Sequence, residues 1–177
     1  DTGVFQADRS FDITVEYAKA APEDILMRIT VLNRGPEEAR IQVLPQLWFR
    51  NTWSWTGERP QAQLRAISRG HAEAHHPTLG TQHAWTEAAE LLFCDNETNA
   101  PRLFGTPKEG SFKDAFHAFL IQGDASALNA DSQGTKMAAH HVLDVPAGGS
   151  CIVRLRLSRE VLERPFGDFD EIVKLRS

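Results

Sequence analysis

Residues Phe11–Asn33 read FDITVEYAKAAPEDILMRITVLN, and this stretch decides the fold class. Phe11, Ile13, Val15 and Tyr17 alternate with Asp12, Thr14 and Glu16, the period of a half-buried strand. Ala20-Ala21-Pro22-Glu23-Asp24 interrupts the alternation, because proline has no backbone donor and a fixed φ. Ile25, Met27, Ile29 and Val31 then resume it. Asn33-Arg34-Gly35-Pro36 supplies a turn, with glycine free to take positive φ. Ile41, Val43, Leu47 and Phe49 form a third strand, and Pro45 within it marks an edge or a bulge. Three strands joined by short turns predict an antiparallel sheet.

Working outward, Leu64–Ser68, Gln82–Thr86 and Leu91–Cys94 read as further strands. Phe112, Phe116 and Phe119/Leu120 recur at helical spacing, so a short helix is expected there. Lys136–Val145 and Ser150–Leu157, around Pro146-Ala147-Gly148-Gly149, predict a closing hairpin. About eight or nine strands with one or two short helices imply a mainly β protein, an antiparallel β-sandwich.

The 177 residues carry 19 Lys and Arg against 24 Asp and Glu, a net charge of −5. One domain long enough to bury a core is expected. The acidic balance argues against nucleic acid, whose phosphates are bound by Lys and Arg. No apolar run approaches the roughly 18 residues that span a bilayer, so no membrane partner is expected. Cys94 and Cys151 are too few for a disulfide scaffold and read as reduced thiols of a cytoplasmic protein. The opening Asp1-Thr2-Gly3 shows no secretory signal. At the other end, Asp168 followed by Glu171 is the pattern of a capping box. It opens a helix whose apolar stripe is Ile172, Val173 and Leu175. A helix of two turns is marginal alone, so the chain reads as a piece of something longer.

Three of the four tryptophans lie in Leu47–Trp55, LWFRNTWSW. Indole faces suit the C–H faces of sugar rings while Arg50 and Asn51 suit hydroxyls, and the same residues suit core or interface packing. Trp48 and Phe49 face opposite ways in a strand, so one is expected in the core. Of the seven histidines, His71 and His75 would share a strand face with Glu73, whereas His140 and His141 would face opposite sides. Neither set has metal-ligand spacing, and no metal or other cofactor is expected. Asp95–Asn99 (DNETN) lacks the glycine and distal glutamate of a calcium loop and reads as a polar turn. Glu87/Glu90 and Glu97/Asp114 are carboxylate pairs that acid–base chemistry would need at suitable separation.

Several stretches together resemble bacterial proteins of the glycoside hydrolase family 63 type, relatives of mannosyl-oligosaccharide glucosidase. They are FDITVEYAKA (residues 11–20), PEDILMRITVLNRGP (22–36), LPQLWFRNTWSW (44–55), Asn96–Asn99 with Arg102–Gly105, FKDAFH (112–117), GTKMAAH (134–140) and VPAGGSCIVRLRL (145–157). The resemblance implies a β-rich domain of super-sandwich type that precedes an (α/α)6 catalytic toroid. Residues 1–160 would then be that sandwich, lacking upstream strands, and residues 161–177 the start of a linker helix toward the toroid. The toroid would be its partner and would carry the acid and base of inverting α-glucoside hydrolysis. No catalytic residue transfers to this chain, which alone is expected to be inactive. Trp48, Arg50, Asn51, Trp53, Trp55, Asn96, Glu97, Asn99, Lys113, Asp114, His117, Lys136 and His140 become candidates for interdomain or oligosaccharide contact. An autonomous carbohydrate-binding module using the tryptophans is the alternative. A sandwich without its upstream strands is expected to self-associate.

Overall fold

The computed structural model describes residues 8–57 and 62–176. Asp1–Gly3 and Ser177, on which readings of the two ends rest, lie outside the described residues. The described chain is mainly β and antiparallel. In order it forms β1 (Phe11–Ala21), β2 (Asp24–Asn33), β3 (Ala39–Val43), β4 (Gln46–Trp48), α1 (Trp53–Thr56), β5 (Gln63–Ser68), β6 (His71–His76) and β7 (Gly80–Thr86). There follow β8 (Glu90–Cys94), α2 (Ala100–Phe104), α3 (Ala115–Gln122), β9 (Gln133–Gly134), β10 (Lys136–Val145), β11 (Ser150–Ser158) and α4 (Phe169–Arg176). Two compact units result, with boundaries after Val43, inside β7, after Ala88 and inside β10.

The first unit contains the deciding stretch. β1 and β2 pair from Phe11 opposite Asn33 to Lys19 opposite Ile25, with a bulge before the Pro22-Glu23 turn. β1 is a strand as expected, but Ile13, Val15 and Tyr17, read as its buried side, are exposed. β11 pairs with the other edge of β2, and β7 with β11. β3 does not join this sheet. It pairs with His141–Val145 of β10 to make a second one. Ile29, Val31 and Val153 of the first sheet pack against Val145, Ile41 and Leu143 of the second, which makes this unit a two-sheet sandwich.

The closing hairpin is therefore corrected. β10 and β11 have the predicted extents, yet they lie in different sheets. Alternation encodes which face of a strand is buried and says nothing about which strand it pairs with. Pro146–Gly149 is an arch over the sandwich edge, and Asn33 fastens it. Its backbone N–H donates to Gly149 O at 3.0 Å, and Nδ2 donates to Val145 O at 3.0 Å and Glu37 O at 2.7 Å. Its Oδ1 accepts from Gly35 N at 2.8 Å. A residue read as a turn former is one of the most buried polar side chains in the unit, 2% exposed.

On the opposite face of the first sheet, Phe169 and Val173 of α4 bury against Ala18 and Leu26. Leu175 is not part of this stripe and is 74% exposed, because i and i+4 share a face and i+6 does not. Asp168 precedes the helix, but its Oδ1 accepts from Arg156 Nη1 at 2.6 Å. Arg156, buried in the same layer, also forks onto Asp24 at 2.8 and 2.7 Å and donates to Pro165 O at 2.8 Å. A buried guanidinium is tolerable only when its donors are met in this way.

In the second unit, β5 pairs with β6 and with β9. Lys136–His140 of β10 runs between β4 and β8. The single third strand expected from Ile41 to Phe49 is two, because Pro45 falls in the break between β3 and the edge strand β4; Pro45 O accepts from Ala139 N at 2.9 Å. Leu92, Cys94 and Ala138 pack under Ala115 and Phe116 of α3, the helix expected from the phenylalanine spacing. Two additional short helices, α1 and α2, lie in stretches with no helical period to betray them. Asn99 caps α2 by accepting from Arg102 N, with Pro101 in its first turn. β6 also had a weak signal, since Ala72 and Ala74 are its buried residues, 0% and 3% exposed. No helix among the described residues is long and apolar enough to cross a membrane.

Candidate functional site

The second unit gathers most of the predicted site residues into one polar network. Leu44–Trp48 delivers the chain along the β10 edge, after which Asn51 turns it into α1. Asn51 Oδ1 accepts from Ser54 N at 3.0 Å, and its Nδ2 donates to Asn96 O at 2.7 Å. Asn96 answers by donating from Nδ2 to Phe49 O at 2.9 Å, while its N–H donates to Thr135 Oγ1 at 2.8 Å. The polar turn expected at Asp95–Asn99 is thus a long-range clasp.

Glu97 is the hub. Trp53 is 8% exposed, and its indole N–H donates to Glu97 Oε1 at 2.5 Å. Lys108 Nζ donates to Oε2 at 2.9 Å, and Glu97 O accepts from Lys113 N at 3.0 Å. Burial pushes this carboxyl upward, but hydrogen bonds from Lys108 and Trp53 and the lysine charge outweigh it and hold Glu97 below the usual carboxylate range. It is a fixed anion, the reverse of a general acid.

A second carboxylate closes the network. Asp114 accepts from Asn99 Nδ2 at 3.1 and 3.2 Å and from Arg102 Nη1 at 3.1 Å. Lys113 Nζ donates to Thr98 Oγ1 at 3.2 Å. Lys136 Nζ lies 5.5 Å from the centre of the Phe116 ring and donates to Lys113 O at 3.5 Å. Lys108 and Arg102 were not among the expected residues. Arg102 stands within a motif that carried the resemblance, whereas Lys108 has no signal in its neighbours.

The remaining candidates stand apart from the hub. Trp48 is 53% exposed and lies opposite Lys136 in the β4–β10 register. Phe49, on the other face, is half-buried and its ring sits 5.3 Å from that of His76. Trp55 is 69% exposed, with the Arg50 guanidinium 5.1 Å over its ring. His117 is exposed on α3, and its backbone N–H donates to Asp114 O at 3.1 Å. His140 meets Phe119 edge-on at 6.1 Å. His71, Glu73 and His75 do share a face of β6, where Arg65 pairs with Glu73 at 2.9 Å. Among the described residues, no three His, Cys, Asp or Glu side chains are placed to hold a metal ion. Both cysteines are free thiols, and burial pushes that of Cys94 up to about 12.

The chain is 31% identical over 182 residues to the uncharacterized protein YMR196W of Saccharomyces cerevisiae. The match takes in 85% of this chain and 17% of the yeast protein, so the chain spans about one sixth of the relative's length. No protein-family model matches it.

Proposed function

We propose that the chain is a noncatalytic β-sandwich domain of a longer glycoside hydrolase of the glucosidase type, packing on and orienting an (α/α)6 catalytic toroid. The parent would hydrolyse α-glucosidic bonds with inversion and would be the partner that engages the oligosaccharide. The observation that supports this best is the use made of Glu97 and Asp114. Their oxygens go to Trp53, Lys108, Asn99 and Arg102; carboxylates occupied in this way by their own chain anchor structure, and Glu97, held below the usual carboxylate range, is poorly suited to give up a proton. The match to a sixth of a much longer yeast protein fits a domain-sized piece. The free thiols suit a reducing, cytoplasmic compartment.

A further consequence concerns β1, an edge of its sheet. Ile13, Val15 and Tyr17 are 53%, 45% and 69% exposed there, an apolar edge that favours self-association of the chain alone. The carbohydrate-module alternative draws on the exposed indoles of Trp48 and Trp55 and expects retention of the chain on immobilised α-glucan, lost with Trp55→Ala.

The deciding experiment measures α-glucobioside hydrolysis by this chain and by a version extended through the toroid. Activity confined to the extended form supports the proposal. Turnover by this chain, abolished by Glu97→Gln or Asp114→Asn, overturns it.

A further inference from the structure

A cleft of about 430 Å³ opens in the second unit beside β9, touching the Glu97 network through Thr135, whose Oγ1 accepts from Asn96 N. Its volume falls in the roughly 300–1,000 Å³ range of small-molecule sites. Gln63, Asp95, Asn129, Asp131, Gln133 and Thr135 supply its polar lining, and the backbone of Gly134 completes it.

The lining is braced. Asn129 N donates to Phe93 O at 2.9 Å, and Asn129 Nδ2 donates to Gln133 O at 2.9 Å. Gln63 Nε2 donates to Gln133 Oε1 at 2.7 Å, and Gln133 Nε2 donates in turn to Asp131 Oδ2. Asp95 Oδ1 accepts from Thr135 N at 3.2 Å and from its hydroxyl at 3.4 Å. Gly134 allows the β9 backbone to close on β8, since a Cβ there would stand 2.4 Å from Cys94 O. Side chains already held in place lose little entropy when a ligand arrives.

These bonds leave acceptors in surplus. Among the described residues, no protein donor reaches Asp95 Oδ2, Asp131 Oδ1, Asn129 Oδ1 or Gln63 Oε1. Among the described residues no lysine or arginine lines the cleft, and Asp95 and Asp131 disfavour an anion there. Ala62 is the one apolar side chain among the described lining residues, too little for an apolar ligand. What complements planar, acceptor-rich groups is a molecule carrying several adjacent hydroxyl donors.

We propose that this cleft binds a neutral polyhydroxyl ligand, a sugar residue, through Asp95, Asp131, Asn129 and Gln63. The inference stands without the hydrolase reading, because Glu97 and its partners Trp53 and Lys108 do not line the cleft and its ligand need not be cleaved.

The test titrates the chain with maltose, mannose and myo-inositol, and separately with putrescine, following the Gly134 amide and the Asn129 side-chain amide by NMR. At least one saccharide or polyol should shift both signals and saturate in the millimolar range. Gln63→Ala and Asp131→Ala should each weaken that binding about tenfold. Both residues are exposed, so neither replacement opens the core. Asp144→Ala, in the other unit, should leave it unchanged. Three results overturn the inference: putrescine shifting these signals while no hydroxylated probe does, no probe shifting them, or the cleft variants binding as well as the parent chain. Hydrolysis by the extended chain is a separate readout, so loss of one proposal leaves the other standing or falling by itself.

Discussion

Replacing Arg156 by Met keeps an unbranched apolar stem, ends it about where the guanidinium begins, and removes its charge and all its donors. The Arg156 side chain is 4% exposed and that of Asp24 15%, whereas that of Asp168 is 53% exposed. Once the guanidinium is gone, Asp168 can hydrate, but Asp24 is left as a poorly solvated, unpaired anion. Breaking a buried pair from one side costs about 3–5 kcal/mol. At about 2–4 °C per kcal/mol for a protein of this size, the midpoint should fall by roughly 10–15 °C. Asp168→Ala removes only a half-exposed partner and should cost about 1 kcal/mol or less. Circular dichroism melts at neutral pH, with urea titrations alongside, read both variants. The double variant Arg156→Met/Asp24→Leu should regain part of the loss, since no buried charge is then orphaned. The reasoning is refuted if Arg156→Met costs less than about 1 kcal/mol, or if Asp168→Ala costs as much.

Asn33→Ala leaves Gly35 N, Val145 O and Glu37 O without their partners and should cost about 2–3 kcal/mol, read by urea unfolding. Gly134→Ala drives a Cβ toward Cys94 O and should destabilise the second unit by about 1–3 kcal/mol, read as lost amide-exchange protection in β8 and β9. Acid should unfold the chain by a defined route. Hydrogen bonds and charges hold Glu97 and Asp168 below the usual carboxylate range, so their folded values lie under their unfolded ones. The stability they supply is complete above about pH 4–5 and is lost as pH falls through the folded values. Melting temperature measured against pH should therefore decline below about pH 4, and Glu97→Gln should flatten the decline.

The residues reveal the strands more readily than their partners. β1 and β2 were legible because Ile13 to Tyr17 and Ile25 to Val31 alternate cleanly and Pro22 can only break them. The destinations of β3 and β11 were not, since Ile41 or Val153 buries the same face in a hairpin or across a sandwich. Asn33 looked like a turn residue because its neighbours are Arg, Gly and Pro; that it would fasten an arch from Pro146 to Gly149 depends on contacts over a hundred positions away. The Glu97 hub was half legible. Trp53, Asn96 and Glu97 stood out as unusual types in clusters, yet their pairing spans some 44 positions, and Lys108 lies in an ordinary polar stretch. Asn129, Asp131 and Gln133 gave no signal at all, because side chains that line a cleft and those that face water are the same residue types.

The central claim is that Glu97 holds the second unit together and takes no part in bond cleavage. The measurement that tests it most directly is α-glucobioside turnover by the extended chain carrying Glu97→Gln, normalised to folded protein, with a thermal melt of the same sample. The account predicts a lower melting temperature and a kcat within about twofold of the parent. A kcat reduced by about 100-fold or more, the scale of a lost general acid or base, with an unchanged melt would contradict it.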